Sequence, residues 1–255
     1  MLTLSVITIN RNNLLGLRKT MLSVLEQAQM LESTCFEYIV VDGASTDGSQ
    51  KVIETVLQQE TGLRTRWVSE PDTGIYNAMN KGLNMAKGDY CLFLNSGDVL
   101  ATKSVLAQVV RYIEENKLSA DVYYADAVFL NDKGQVLRVY PDRLSLDFFY
   151  YDSLCHQAMF YRRERLLSIG GYDEQYQLIA DWVMNIQLFR KGLTFCHLPV
   201  LTTLYDTVGL TSGTDGYVRC NKERDIFYKS NGLRFIHIYM WIHRKYNQLK
   251  RKIQL

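Results

Sequence analysis

Cysteine, proline, net charge and long apolar runs are all scarce in this 255-residue chain, and each scarcity removes a class of protein. Its five cysteines (Cys35, Cys91, Cys155, Cys196 and Cys220) are odd in number, widely spread and without a C-x-x-C pair. That excludes a zinc ribbon and a disulfide framework and points to a reducing compartment. A formal charge of +2 excludes a surface that is basic throughout, so no nucleic-acid partner is expected. No apolar run reaches the roughly 18 residues of a membrane span. The first ten residues, MLTLSVITIN, carry neither a basic leader nor a small-residue cleavage site. The expectation is a cytoplasmic protein, with contact at a membrane surface left open. With three prolines and no Pro/Gly/Ser-rich linker, one compact domain is expected. Also missing is a glycine-rich turn after the first apolar run, where Asn10-Arg11-Asn12-Asn13 stands instead. This excludes the G-x-G-x-x-G of a dinucleotide-dependent oxidoreductase and the phosphate loop of a sugar-phosphate nucleotidyltransferase.

Apolar residues make up 47% of the chain, enough for a substantial core and too many for disorder. A short β-branched run from Leu4 to Ile9 is followed by leucine-spaced residues from about Leu14 to Gln29, a strand and then a helix. The unit recurs as Phe36 to Val41 before a helix from about Gly48, Arg64 to Val68 before one from about Ile75, and Tyr90 to Leu94 before one from about Lys103. Four successive βα units predict a mostly parallel sheet with helices on both faces, and ligands beyond the strand C-termini. After about Ala120 the pattern changes. Val122 to Leu130 and Gln135 to Tyr140 flank Asn131-Asp132-Lys133-Gly134, a hairpin signal, so the second half is expected to be mixed α+β. Beyond Tyr217 there are ten Lys or Arg against two acids, Glu223 and Asp225. Phe235, Ile236, Ile238, Tyr239, Met240, Trp241 and Ile242 cluster ahead of Lys250, Arg251 and Lys252, the composition of an interfacial anchor on an anionic membrane. The same residues also suit a helix packed on the core with solvated lysines.

Three strand ends carry acids. In VVDGASTDGS, Asp42 ends a strand and suits the N–H of a base, while Ser45, Thr46 and Asp47 serve equally as caps of the next helix. In SEPDTGIYNAMNKG, Asn77 and Lys81 lie four apart and share a helix face, offering an amide and a cation to a diphosphate or ribose, although exposed helices often carry such pairs. In LFLNSGDV, Asp98 is suited to anchor a hard divalent cation, and Gly97-Asp98 equally makes a turn. Farther on, Asp181 opens a helical pattern at IADW, placed as a general base or as a first-turn acid complementing the helix dipole. His156, in Cys155-His156-Gln157, suits a base, a metal ligand, an acceptor-site donor or a structural role.

Taken in order, the strand ending at Asn10, VVDGASTDGS, SEPDTGIYNAMNKG, FLNSGD, HQ and ADW resemble the inverting glycosyltransferases of family two, over roughly residues 2 to 205. Within that family the chain looks like the branch of bacterial O-antigen, capsule and colanic-acid-type transferases. The resemblance implies an α/β GT-A fold: a mostly parallel, Rossmann-like central sheet flanked by helices. The expected organisation is a GT-A domain over 1–216, with a donor half to about 100 and a mixed acceptor half from 101, followed by the basic helical tail over 217–255 read from composition. The resemblance places Thr8, Asn10 and Asp42 near the base and ribose of a nucleotide-sugar donor, and Asp72, Asn77 and Lys81 along the donor site. Asp98 would hold Mn²⁺ or Mg²⁺ against the diphosphate, Asp181 matches the catalytic base, and His156, Gln157 and Asn95 fall to the acceptor or donor sugar. The implied acceptor is a glycan on a polyprenyl diphosphate, met at the inner face of the bacterial plasma membrane. One departure stands out. The family's usual Asp-x-Asp-Asp turn here reads Asn95-Ser96-Gly97-Asp98, with one carboxylate. A catalytically inactive sugar-nucleotide-binding or scaffold subunit is the rival reading that this thinned turn supports.

Overall fold

Strands β1 (Leu4–Asn10) and β2 (Phe36–Asp42) are buried at every position, which is why their sequences read as unbroken apolar runs. The computed structural model describes residues 2–32, 35–58, 62–117, 119–132, 134–207, 213–233, 235–236, 238–239 and 242. In chain order the first half continues through α1 (Leu14–Leu25), α2 (Ser49–Leu57), β3 (Arg64–Ser69), α3 (Ile75–Met85), β4 (Tyr90–Phe93), β5 (Val99–Leu100) and α4 (Val105–Glu115). The βα alternation is that expected from the sequence. β3 differs in being half-exposed, because it forms an edge of the sheet and has a neighbour on one side only.

β1 pairs in parallel with both β2 and β4, and β2 with β3, giving the order β3-β2-β1-β4. The chain therefore steps outward from β1 to β3 and returns across the sheet to the other side of β1. That reversal puts a topological switch point between β1 and β4, the place where open α/β sheets leave a crevice for ligands. The returning helix α3 packs directly on β1. A Cβ on Gly82 would lie 2.4 Å from Ile7 Cγ2, so only glycine permits this approach. On the opposite face Leu17, Met21, Ile53, Val105 and Val109 form one core with Val6, Tyr38, Val40 and Leu92.

The second half supplies β6 (Val122–Asn131), β7 (Gly134–Arg138), α5 (Leu146–Tyr151), β8 (Met159–Arg162), α6 (Arg163–Ser168), α7 (Ala180–Arg190) and β9 (Phe195–Asp206). β6 and β7 form the expected antiparallel hairpin, with Asn131 opposite Gly134. Past β4 the sheet runs on through antiparallel β8 to β6, β9 and β5, the mixed architecture that the change of pattern after Ala120 announces.

The chain divides into two compact units, Met1–Thr207 and Val208–Leu255, and the expected basic tail lies within the second. Its helix is α8 (Gly213–Ser230). Beyond it Phe235 is 89% exposed, and Ile238, Tyr239 and Ile242 are exposed too. Met240, Trp241 and Lys250 to Lys252 lie outside the described residues. Among the described residues no helix is long and apolar enough to cross a membrane.

Candidate active site

The ends of β1, β2 and β3 are tied together by one carboxylate. Asp42 Oδ1 accepts from Asn10 Nδ2 at 2.8 Å and Ser45 Oγ at 2.6 Å, and Oδ2 accepts from Ser45 N at 2.9 Å and Ser69 Oγ at 2.7 Å. Burial alone would raise the pKa of Asp42, but the donors from Ser45, Ser69 and Asn10 outweigh it and hold the group below the usual carboxylate range. Thr8, one pleat earlier on the face of Asn10, is fully buried and accepts from the Tyr38 hydroxyl at 3.0 Å. Thus Thr8 and Asp42 lie beneath the crevice as part of its frame, their acceptors engaged by the protein itself. Asn10 Oδ1, also buried, has no protein donor.

The turn from β3 into α3 forms one wall. Asp72 lies against the backbone of Gly43, where a Cβ would meet its Oδ2, and caps Gly74 N at 3.1 Å. Exposed Arg11 approaches it at 3.6 Å. Lys81 reaches back along α3 to Pro71 O at 2.7 Å and the Glu70 carboxylate at 2.9 Å, bracing this turn. Asn77 touches this turn through its Oδ1, which accepts from Thr73 N at 3.4 Å, and reaches away from it through its amide nitrogen. Its Nδ2 donates to Glu174 at 3.0 Å, while Asn80 donates to the other Glu174 oxygen at 2.8 Å and accepts from Tyr172 N at 2.8 Å. The shared helix face of Asn77 and Lys81 thus serves two structural tasks: both residues hold the β3–α3 turn, and Asn77 also docks the segment around Tyr172 to Glu174.

At the end of β4 the acidic turn folds inward. Asp98 is 4% exposed; its Oδ1 accepts from Asp206 N at 2.9 Å and its Oδ2 from Gln157 Nε2 at 2.9 Å. Burial pushes its carboxyl up to about 6, with the neighbouring Asp206 adding to the rise and His156 opposing it. Among the described residues no Lys or Arg pairs with it. Thr20 holds the turn by donating to Asp98 O at 2.7 Å and accepting from Gly97 N at 2.9 Å. A buried carboxylate without a compensating cation suits a hard divalent ion. Because the described residues contain no cluster of three or more His, Cys, Asp or Glu able to hold a metal, the remaining ligands of such an ion would be substrate phosphate oxygens and water.

Asp181 stands in the first turn of α7, where the helix dipole favours its ionised form. The Tyr76 hydroxyl donates to its Oδ1 at 2.8 Å, and His156 Nδ1 lies 3.3 Å from its Oδ2. The other ring nitrogen of His156 faces Asn95 Nδ2 at 3.1 Å. Burial would raise the Asp181 pKa, yet His156 and Tyr76 lower it below the usual range. The side chain retains 19% exposure, so a hydroxyl from outside can reach the carboxylate.

Of the residues singled out from sequence, Asn95, Asp98, His156, Gln157 and Asp181 come together at the β4 end of the switch point. Asn10 and Asp72 stand on its β1–β2–β3 side, with Asp42 buried beneath them. Asn77 and Lys81 serve the walls. Sequence reasoning missed Tyr76, whose partner is 105 residues away. It also missed Ser69, Thr20 and Glu174, common polar residues whose partners lie in other elements.

Comparison with known proteins bears on the family and the fold. The Glycosyl transferase family 2 model matches residues 5–170. A PGL/p-HBAD biosynthesis glycosyltransferase of Mycobacterium bovis is 34% identical over 185 residues, 71% of this chain and 70% of the relative. An uncharacterized glycosyltransferase of Mycobacterium tuberculosis is 31% identical over 245 residues, 93% of this chain and 90% of its own. The structure superposes on S. aureus TarS 1-349 with a TM-score of 0.65 at 20% identity, covering 81% of this chain and 61% of that one. It also superposes on the mannosyltransferase PcManGT from Pyrobaculum calidifontis, solved with GDP-Man and Mn²⁺, with a TM-score of 0.61 at 17% identity, covering 80% and 56% respectively. The fold is therefore GT-A, and the chain belongs to glycosyl transferase family 2.

Proposed function

We propose that this chain is a metal-dependent, inverting glycosyltransferase that moves a sugar from a UDP- or GDP-sugar to a hydroxyl of a lipid-linked glycan. The observation that carries the reading is a pair of carboxylates at the switch point with opposed environments. Asp98 is buried and pushed up to about 6, and Asp181 is held low by His156, Tyr76 and the Trp182 backbone N–H. Asp181 is the ionised and partly accessible group of the pair, placed to accept a proton, and Asp98 is the one without a compensating cation, which a bound divalent ion would supply. Neighbours solved with UDP, UDP-GlcNAc and GDP-Man support a nucleotide-sugar donor.

In the proposed mechanism Asp181 takes the proton of the acceptor hydroxyl as its oxygen attacks the anomeric carbon opposite the departing nucleoside diphosphate. Bound Mn²⁺ or Mg²⁺, anchored by Asp98, supplies charge stabilisation to that leaving group. Asp42 and Thr8 hold the strand ends rigid beneath the nucleoside. Asn10 and Asn95 each present a buried amide oxygen that no protein group donates to, suited to N–H or O–H donors of the nucleotide sugar. Asp72 lines the donor site, with Lys81 and Asn77 fixing its walls. Gln157 keeps Asp98 in place beside the transferred sugar. The test is the anomeric configuration of the product by NMR, with a donor of known configuration. Inversion is expected, and retention would overturn the single-displacement mechanism.

The acceptor we infer is a glycan on polyprenyl diphosphate, in assembly of a bacterial surface polysaccharide of O-antigen or capsule type, at the cytoplasmic face of the inner membrane. The relative named for PGL/p-HBAD biosynthesis supports a role in building a glycoconjugate. The exposed Phe235, Ile238, Tyr239 and Ile242, set among basic residues, support an anchor at an anionic membrane surface, where each Lys or Arg contributes about 1 kcal/mol. Truncation after Gly232 is expected to leave a soluble, active enzyme that no longer sediments with phosphatidylserine vesicles. Undiminished sedimentation would remove the tail from that role.

A further inference from the structure

We propose that His156 is a positioning residue for Asp181, with Asn95 fixing the tautomer that makes it one. The inference rests on the reading of Asp181 as the base and extends it to the groups that aim it.

The chemistry of the ring decides the direction of the bonds. Asp181 ionised is an acceptor only, so a bond across the 3.3 Å between its Oδ2 and His156 Nδ1 has the ring nitrogen as its donor. In a neutral imidazole Nε2 is then an acceptor, and it faces the Asn95 amide nitrogen, a donor, at 3.1 Å. Turning that amide over would point an oxygen at the Nε2 lone pair, so the neutral ring and the amide lock each other. Tyr76, on α3, donates to the other oxygen of the carboxylate at 2.8 Å. The base is thus held at both oxygens by groups from two separate elements, with the Trp182 backbone N–H donating to it as well. The same line of contacts leads to the metal anchor, because Gln157 follows His156 in the chain and donates to Asp98.

The titratable groups facing Asp181 are His156 and Cys155 around the 3-10 turn His156–Ala158, Tyr76 on α3, Tyr161 on β8, and Tyr172. The Tyr161, Tyr172 and Cys155 protons are held well above neutrality by burial. Without the His156 donor, burial acts on Asp181 with less opposition, and the carboxylate binds its proton more tightly.

Two measurements on the full chain test this. The first is ¹⁵N NMR of histidine-labelled protein, a simple spectrum with four histidines, in which His156 is assigned by its loss in His156→Asn. A neutral Nδ1–H ring is expected, reverting to the ordinary Nε2–H form in Asp181→Asn. The second is the pH dependence of kcat/KM for release of nucleoside diphosphate from UDP-glucose, UDP-N-acetylglucosamine or GDP-mannose. In His156→Ala the rate is expected to fall about 10- to 100-fold through misplacement of the base. The acid limb is expected to move up by about 1 pH unit, and KM for the donor to stay unchanged. His156→Asn, whose amide nitrogen stands near the position of Nδ1, is expected to restore the limb. An Nε2–H ring indifferent to Asp181→Asn, or an acid limb that stays put in His156→Ala, would overturn the proposal. No diphosphate release from any donor by the wild type would count against the transferase reading instead, and the ring tautomer still decides the His156–Asp181 bond.

Discussion

Asp181→Asn is expected to bind its nucleotide donor as the wild type does while transfer falls by about two to four orders of magnitude, the range of general-base assistance. The substitution keeps the volume of the side chain and an oxygen to accept from Tyr76, so the fold and the pocket are undisturbed. What it removes is the ionised oxygen beside His156. In its place stands an amide N–H pointed at the ring's own Nδ1–H, and the ring must change tautomer to avoid two facing donors. The kcat of the variant beside the Kd for nucleoside diphosphate checks this. A full rate would remove Asp181 from the role of base, and a loss confined to Kd would make it a binding residue.

Asp98→Asn is expected to act in the opposite sense on stability and function. In the metal-free protein the Asp98 carboxyl titrates at about 6 in the folded state, against 3.8 as its ordinary value, because it is buried. Between those values the native chain holds a proton that the unfolded chain has released, so stability decreases as pH rises through this window and is greatest below it. By pH 7 the ionised, buried group costs about 3 kcal/mol. Asparagine never ionises. Its oxygen can keep the bond from Asp206 N, and the Gln157 amide can turn to accept from the new N–H. The variant is therefore expected to unfold at higher temperature than the metal-free wild type at pH 7.5, with the difference vanishing near pH 4. It is also expected to lose metal-dependent nucleotide binding. A pH-independent difference in melting temperature would contradict the burial argument, and retained metal dependence would remove Asp98 as the anchor.

The parallel half of the fold was legible because its signals are local. Unbroken apolar runs such as Leu4 to Ile9 need helices on both faces, and β1 and β2 are buried throughout. The half-exposed edge at β3 follows from the strand order β3-β2-β1-β4, and strand order is a property of pairing between segments rather than of any one of them. The site was partly legible. Acids at strand ends and helix starts are visible in sequence, so Asp42, Asp98 and Asp181 stand out. How each acid is satisfied is not, since Asp42 accepts from Ser69 and Asn10 and Asp181 from Tyr76, all in other elements. The spacing of Asn77 and Lys81 shows that they share a face but not what the face meets. Glu174 draws Asn77 away, and Glu70 draws Lys81 back.

The central claim is that this crevice binds a nucleoside diphosphate with the help of a divalent cation at Asp98. Thermal unfolding of the purified chain with UDP, GDP, CDP or TDP, each with and without Mn²⁺, tests it most directly, because a ligand at 100 times its Kd stabilises by about 2.7 kcal/mol. The account predicts a rise in melting temperature for one nucleotide in the presence of Mn²⁺ and a much smaller one in its absence. No shift with any nucleotide, with or without the metal, would contradict it and favour a scaffold subunit without a donor site.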